Sequence, residues 1–485
     1  MDNGRILRLR SPHANHANHN HSRCHIHRLP VELVLSIFKI GADDFSAGEE
    51  HPANSTNSVA SEKSSLDRFY DESFQVLASH VCARWRAIAF TAPMLWTTIY
   101  IYNTATPPFD ALIAWLTRSQ NNAIDVTVDA DPHDGQSMPE AHLNQVITLL
   151  SPHTARLHYF DFRVASQCRL QKCLDILAAR PLQPPLQLIT LIVEVADIDT
   201  LAPVTFFDGN LPCLELVVLR GVGVAWDQRW LEGSPQLTDF EFTNHGMDMQ
   251  PTWETFVRFL TGSPNLQILR IFGPASWLPQ TGLEDMPLSS SLPTLHALQT
   301  LELASVQDDA INILTRLALP SLTSLTLNLW QEDFTDVILQ LVTPPNTGPG
   351  TPLCPNSFLH GLRDLCITEL HCSPHCVALL FRELRSIEQI TLDVTSLNRE
   401  FLEHISCQGD KSSWLPTLQK LRTIGVTGKT MCALLAIRRH HGYPLRAVYM
   451  EEGAVMELGD MERLRQDVDD FRLLSEDDIL SYEAG

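Results

Sequence analysis

Positive charge is scarce in this chain. Lys and Arg number 35 against 57 Asp and Glu, which leaves a formal net charge of -22 over 485 residues. A nucleic-acid binder needs a basic face to displace condensed counterions, and an anionic bilayer attracts polybasic segments, so no nucleic acid and no membrane are expected as partners. No apolar run approaches the roughly eighteen residues of a bilayer span. The opening stretch, MDNGRILRLRSPHANHANHN, lacks the apolar core of a secretory signal. Eleven cysteines occur, without a CxxC pair and without the spacing of a disulfide framework. These absences point to an intracellular compartment, cytoplasm or nucleus, with free thiols.

Catalytic motifs are absent as well. There is no GxSxG elbow, GxxxxGK[ST] loop, HExxH pair or GxGxxG turn, and Gly221-Val-Gly223 lacks a third glycine. The sharpest local cluster is His371-Cys372-Ser373-Pro374-His375-Cys376, with Cys354 and Cys366 upstream. Thiolate and imidazole groups suit zinc, but the spacing fits no zinc pattern, and the segment reads as free cysteines at the turn into a helix. The chain is expected to bind rather than catalyse, with no metal and no cofactor. An unrecognised hydrolase is the disfavoured alternative.

What is present falls into four stretches. Residues 1–27 are polar and His-rich and cannot bury enough apolar surface to offset chain entropy. Residues 28–104 carry two helical signals. In the first, Pro30 suits an initial helical turn, Leu33, Ile37 and Phe38 recur at helical spacing, and Gly41 reads as the stop. In the second, Val81, Trp85, Ile88 and Ala89 share a face, Pro93 breaks the helix, and Thr98 to Ile101 starts a strand. A polar, Ser- and Asn-rich stretch at about 42–72 separates them and reads as a mobile insertion. Residues 105–450 hold a repeat. Residues 451–485 carry twelve acidic and three basic side chains, net -9, and read as a solvating acidic end.

The residues Leu-Pro-x-Glu-Leu with Ile-Phe, then Val-Cys-x-x-Trp-Arg-x-x-Ala, then Pro-x-Leu-Trp resemble the F-box, in the form found in mushroom-forming fungi. The connector between the halves is longer here than the family's. The resemblance implies a small helical module that docks on Skp1 and through it joins a cullin-RING ubiquitin ligase. Carried onto this chain, the docking surface is Leu29, Pro30, Leu33, Ile37, Phe38, Val81, Cys82, Trp85 and Trp96. Leu29, Pro30, Ile37 and Phe38 would face the partner, and Trp85 would brace the helices.

The repeat is Leu-x-x-apolar-x-apolar, anchored at Leu157, Leu186, Leu214, Leu237, Leu266, Leu298, Leu322, Leu362, Ile387 and Leu418. Eight of the nine intervals between anchors lie between 23 and 32 residues, and the ninth, of 40, contains a Pro- and Gly-rich loop at 343–352. Such a unit cannot bury its own apolar face, whereas stacked units share one core. Return helices are expected at 253–260, 310–317 and 377–384. The pattern resembles leucine-rich repeats, although the usual Asn position holds His245, Pro274, Val306, Trp330, Leu370 and Thr395.

The expected fold is therefore an α/β repeat: a small all-helical F-box followed by an irregular leucine-rich-repeat solenoid. Outward strand positions on a solenoid's concave face carry binding, and Glu215, Val218, Asp239, Glu241, Arg270, Glu302, Thr326 and Thr391 occupy them. The best-charged of these, Glu215, Asp239, Glu241, Arg270 and Glu302, are the candidate contacts to a protein target. The resemblance implies the substrate-recognition subunit of a Skp1-cullin-F-box ligase. The alternative is a repeat scaffold with a vestigial F-box and no ligase attached.

Overall fold

The computed structural model describes residues 28–48, 73–102, 109–131, 137–178, 185–197, 203–232, 234–243, 251–273, 293–304, 314, 316–342, 358–395, 400–407, 415–475 and 479. The chain divides into two compact units between Asp125 and Val126. The expected features at 1–27, 49–72 and 343–352 lie outside the described residues, as does most of the helix expected at 310–317.

The first unit begins with α1 (Val31–Gly48), α2 (Phe74–Val81) and α3 (Ala83–Phe90). A single 3-10 turn at Pro93–Trp96, the strand β1 (Thr98–Tyr102) and α4 (Phe109–Arg118) follow. Phe38 is fully buried, with its ring 4.9 Å from Trp85 and 5.8 Å from Phe74. Cys82 separates α2 from α3, and its Sγ accepts the Trp85 N–H at 3.4 Å. Arg84 donates from Nη2 to the Leu29 carbonyl at 2.7 Å, fastening α3 to the start of α1. The Trp96 indole N–H donates to the Ala89 carbonyl at 2.8 Å, so the ring is buried without an unsatisfied polar atom.

Gly41 is not the stop its sequence position suggests, because α1 continues to Gly48. A Cβ on Gly41 would collide with the Phe74 ring, so the missing side chain lets the two helices approach.

The second unit is a parallel sheet whose strands follow chain order. Most of β2 (Ile124–Asp129) belongs to it. Then come β3 (Leu157–Ser166), β4 (Thr190–Asp197), β5 (Leu216–Arg220), β6 (Asp239–Thr243), β7 (Ile268–Phe272) and β8 (Thr300–Ala304). They continue as β9 (Ser324–Asp333), β10 (Asp364–His371), β11 (Gln389–Asp393), β12 (Lys420–Ile424), β13 (Ala447–Glu451) and β14 (Asp470–Leu474). From β3 onward each strand pairs in parallel with the next, as helical or irregular returns require.

Register aligns the repeat residues into two inward rows. One runs Phe160, Leu191, Val217, Phe240, Leu269, Leu301, Leu325, Leu365, Ile390, Leu421, Val448 and Phe471. The other lies two residues later along each strand, from Phe162 to Leu473. Between repeats the chain returns through helices such as α5 (Glu140–Leu150), α6 (Gln167–Ala178), α7 (Trp253–Gly262), α8 (Pro374–Glu383) and α9 (Gly428–His440). Thr252 and Thr427 cap two of them, accepting the N–H of Thr255 and of Thr430. This parallel sheet with helical or irregular returns of variable length resembles a leucine-rich-repeat solenoid.

Two expectations are corrected. The second anchor is Leu188, not Leu186: Leu188 is buried, Leu186 is exposed, and Leu191 pairs in register with Phe160. A slip of two residues keeps every side chain on its original face, so alternation alone does not fix the phase. The acidic end is also folded as far as Ser475. Beyond β13, α10 (Leu458–Asp467) carries a capping box between Glu457 and Asp460, Arg439 pairs with Asp467 at 2.7 Å, and β14 closes on β13. Two further copies of the motif, Leu445-x-x-Val448-x-Met450 and Val468-x-x-Phe471-x-Leu473, build this end.

Candidate interaction surfaces

Two surfaces stand out. The first lies on the first unit. α1 has apolar residues on two faces offset by one position. Val34, Phe38 and Gly41 pack inward, while Leu33, Ile37 and Ile40 lie outside at 52%, 41% and 60% exposure. Val31 precedes them on α1, and α2 adds Leu77 and Val81. Nine of the twelve exposed large apolar side chains among the described residues belong to this smaller unit. Such a concentration on one unit sets these residues apart from scattered single exposed side chains, which need no explanation.

The residues expected at a docking surface divide. Pro30, Leu33, Ile37 and Val81 are exposed, while Leu29, Cys82 and Trp85 are half-buried. Phe38 and Trp96 are core, with relative exposures of 0% and 2%, and so do not face a partner. They were expected there because an inward and an outward apolar residue look alike in sequence. Val31, Ile40 and Leu77 extend the outer stripe. The i, i+4, i+7 series Leu33–Ile37–Ile40 lies wholly before Gly41.

The second surface is the outward face of the sheet. In the N-terminal repeats its charged side chains are engaged with one another. Arg163 lies 3.5 Å from Asp161 and 3.8 Å from Glu194. Arg220 lies 3.8 Å from Glu194 and 2.7 Å from Glu241. Arg270 lies 3.0 Å from Asp239 and 3.1 Å from Glu302. Each of these contacts except Arg163–Asp161 joins neighbouring strands. Burial pushes the carboxyls of Asp239 and Glu302 above their ordinary values, and the Arg270 guanidinium between them works against that shift. This ionic ladder ties repeats together where the regular Asn ladder is missing.

Of the candidate target contacts, Asp239, Glu241, Arg270 and Glu302 are therefore partnered and largely covered, and Glu215 stands exposed just before β5. Val218 and Thr391 are buried, and Thr326 is half-buried. At the C-terminal end the face changes character. Tyr449 lies between Arg422 and Arg472, whose guanidinium carbons are 5.4 Å and 5.9 Å from its ring centre. Its hydroxyl donates to Asp470 at 2.8 Å, and Arg472 donates to the same carboxylate at 3.1 Å.

The His371–Cys376 segment is the turn from β10 into α8. Cys372 and Cys376 are buried, while His371 and His375 are exposed. The Ser373 N–H donates to Thr335 Oγ1 at 2.8 Å, which fixes this turn. Among the described residues no group of three His, Cys, Asp or Glu is placed to hold a metal ion. Burial pushes the thiols of Cys173 and Cys366 up to about 12, so neither is a thiolate nucleophile at neutral pH. Among the described residues no helix is long and apolar enough to cross a membrane.

No protein-family model matches the chain, and no curated protein matches it. Among solved structures it is similar to one described as the crystal structure of a TLR13-ssRNA13 complex. The two are 15% identical with a TM-score of 0.37, over 73% of this chain and 49% of that one. The chain thus spans about half the length of that solved chain.

Proposed function

We propose that the chain is the substrate-recognition subunit of a Skp1-cullin-F-box ubiquitin ligase. In this reading the first unit is the F-box and docks on Skp1, while the repeats hold a protein target. The observation that carries it is the outer stripe of α1, Leu33, Ile37 and Ile40, left open on a helix whose other face buries Val34 and Phe38. An apolar stripe on a rigid helix fits a groove on a helical partner. The residues that resemble the F-box supply both faces: Phe38, Trp85 and Trp96 hold the unit together, and Pro30, Leu33, Ile37 and Val81 meet Skp1. Ile40, Val31 and Leu77 enlarge the contact.

The chain itself is an adaptor and supplies no catalytic group. Its contribution is proximity: holding a target beside the RING-bound E2 raises the effective concentration of target lysines there. The repeat surface supplies specificity, with Glu215 as an exposed charge available to a target.

The test is capture of purified Skp1 and its cullin by the full chain and by its Leu33→Ala/Ile37→Ala variant. Both side chains are exposed, so the variant keeps the wild-type melting temperature. Capture by wild type and loss in the variant supports the receptor reading. Absence of capture by folded wild type leaves the scaffold without a ligase, which the self-contained repeat unit favours.

A further inference from the structure

Six of the nine exposed large apolar side chains on the first unit lie on α1 and α2. Two of the others, Phe90 at 40% and Met94 at 51% exposure, sit at the end of α3 and in the 3-10 turn that follows. Arg118, the last residue of α4, reaches both ends of this stretch. Its guanidinium carbon lies 4.1 Å from the centre of the Phe90 ring and 4.4 Å from that of Trp96.

The platform beneath the guanidinium is held in place. Trp96 is buried, its indole N–H donates to the Ala89 carbonyl at 2.8 Å, and its ring packs 5.7 Å from that of Trp115. The Phe90 and Trp96 rings are 6.0 Å apart. Stacking on aromatic rings occupies the flat face of a guanidinium and leaves its in-plane N–H fork free.

Within the chain no group takes up that fork. Among the described residues Arg118 has neither a hydrogen-bond acceptor nor a carboxylate partner, and its nitrogens are open to water. Burial alone pushes its titration below the ordinary arginine value. The contrast with the sheet is sharp. Arg163, Arg220 and Arg270 each meet two carboxylates there. The chain holds 57 Asp and Glu against 35 Lys and Arg, so a half-buried arginine without an anion is not for want of carboxylates.

We propose that Arg118, with Phe90 and Met94, is a docking site for an acidic segment of a partner protein. The fork takes one Asp or Glu side-chain carboxylate through two parallel N–H bonds, and the exposed Phe90 and Met94 take an apolar side chain beside it. Charge complementarity selects this occupant. A planar fork matches a planar carboxylate. A polyanion such as nucleic acid is repelled by the net charge of -22, whereas a single carboxylate beside an apolar residue is not. Rings that fix the guanidinium before binding lower the ordering cost of the contact. The site uses no residue of the α1 stripe and does not rest on the Skp1 reading.

Capture of the purified full chain on a peptide array tests this. Each peptide sets one Glu near one Leu or Phe, over all short spacings, with its Gln and phosphoserine counterparts alongside. At the best spacing wild type favours Glu over Gln by about fivefold or more, as a charge-assisted bidentate pair does. Arg118→Met keeps an apolar cover on the two rings and binds Glu and Gln peptides alike. Arg118→Lys keeps the charge, lacks the planar fork and retains only part of the preference. Met94→Ser, at an exposed position, lowers capture of the Glu peptides and leaves their preference over Gln intact. Melting temperatures report the folding of each variant, and the lysine variant carries the comparison if the methionine one melts early. The proposal is overturned if wild type captures Glu peptides no better than Gln peptides. It is equally overturned if the preference survives unchanged in a folded Arg118 variant, or if the phosphoserine peptides are preferred to the Glu peptides.

Discussion

Gly41 packs against the ring of Phe74, with no room between them for a Cβ. The pair brings the chain back beside α1 where α2 begins, on the face that also buries Phe38. Alanine in place of Gly41 improves helix propensity by up to about 1 kcal/mol. It also forces Phe74 from its position, at a cost of about 1–3 kcal/mol for overpacking. The expected net effect is a lower melting temperature of the first unit. Shortening the neighbour with Phe74→Leu in the same chain recovers part of the loss. Thermal melts of the two variants and their combination check this, and a Gly41→Ala variant as stable as wild type contradicts the packing.

Arg270 bridges Asp239 and Glu302 across three strands. Arg270→Met keeps the stem and removes the charge, leaving two largely buried carboxyls without their cation. The expected cost at neutral pH is about 3 kcal/mol, as for a broken buried pair. The pH dependence has a definite sign. Burial raises both carboxyls above their ordinary values in the folded chain, and Arg270 opposes that rise, so its removal raises them further. A folded-state value above the unfolded one means stability that is full below the unfolded value and is lost as pH climbs through the folded one. The variant is therefore least stable relative to wild type at neutral pH, and the gap narrows as pH falls toward the unfolded values near 4. Chemical denaturation at several pH values measures it, and a gap that widens on acidification contradicts the ladder.

The thiols divide by burial. Cys168 and Cys213 are exposed, whereas Cys173 and Cys366 are buried with values pushed up to about 12. At pH 8 the buried pair carries almost no thiolate and little access for a reagent. Peptide-resolved alkylation is expected to mark Cys168 and Cys213 first and to reach Cys173 and Cys366 only in denaturant. Early labelling of Cys366 would mean that β10 opens in the native state.

Legibility followed the physics of each signal. The strands from β5 to β10 were readable because each holds two apolar residues that pair with those of both neighbours, and an apolar triplet at repeat spacing is hard to place elsewhere. The phase at Leu188 was not readable, since Leu186 offers the same alternation. The inner and outer apolar faces of α1 differ only by which side another helix covers, and that is decided by Phe74 and Trp85, residues far along the chain. Of the outward charges, sequence gave the positions but not the pairing. Arg270 meets Asp239 and Glu302 only after two returns of different length have been laid into register.

The end of the chain supplies the sharpest contrast between composition and structure. Net charge drew attention away from Leu445-x-x-Val448-x-Met450 and Val468-x-x-Phe471-x-Leu473, whose anchors follow Leu418 at 27 and then 23 residues. If these are repeats, residues 452–475 are part of the core and not an appendage. Removing them strips β14 from β13, uncovers the inward side chains Val448 and Met450, and deletes the Asp467 partner of Arg439. Uncovering two fully buried apolar side chains alone costs roughly 3–6 kcal/mol. A chain truncated after Glu451 is therefore expected to melt well below wild type and to lose amide protection in β13 first, with β12 next. Hydrogen exchange by mass spectrometry resolves this order. A solvating acidic end would leave protection in β12 and β13 unchanged after the same truncation, and that outcome would remove the last two repeats from the fold.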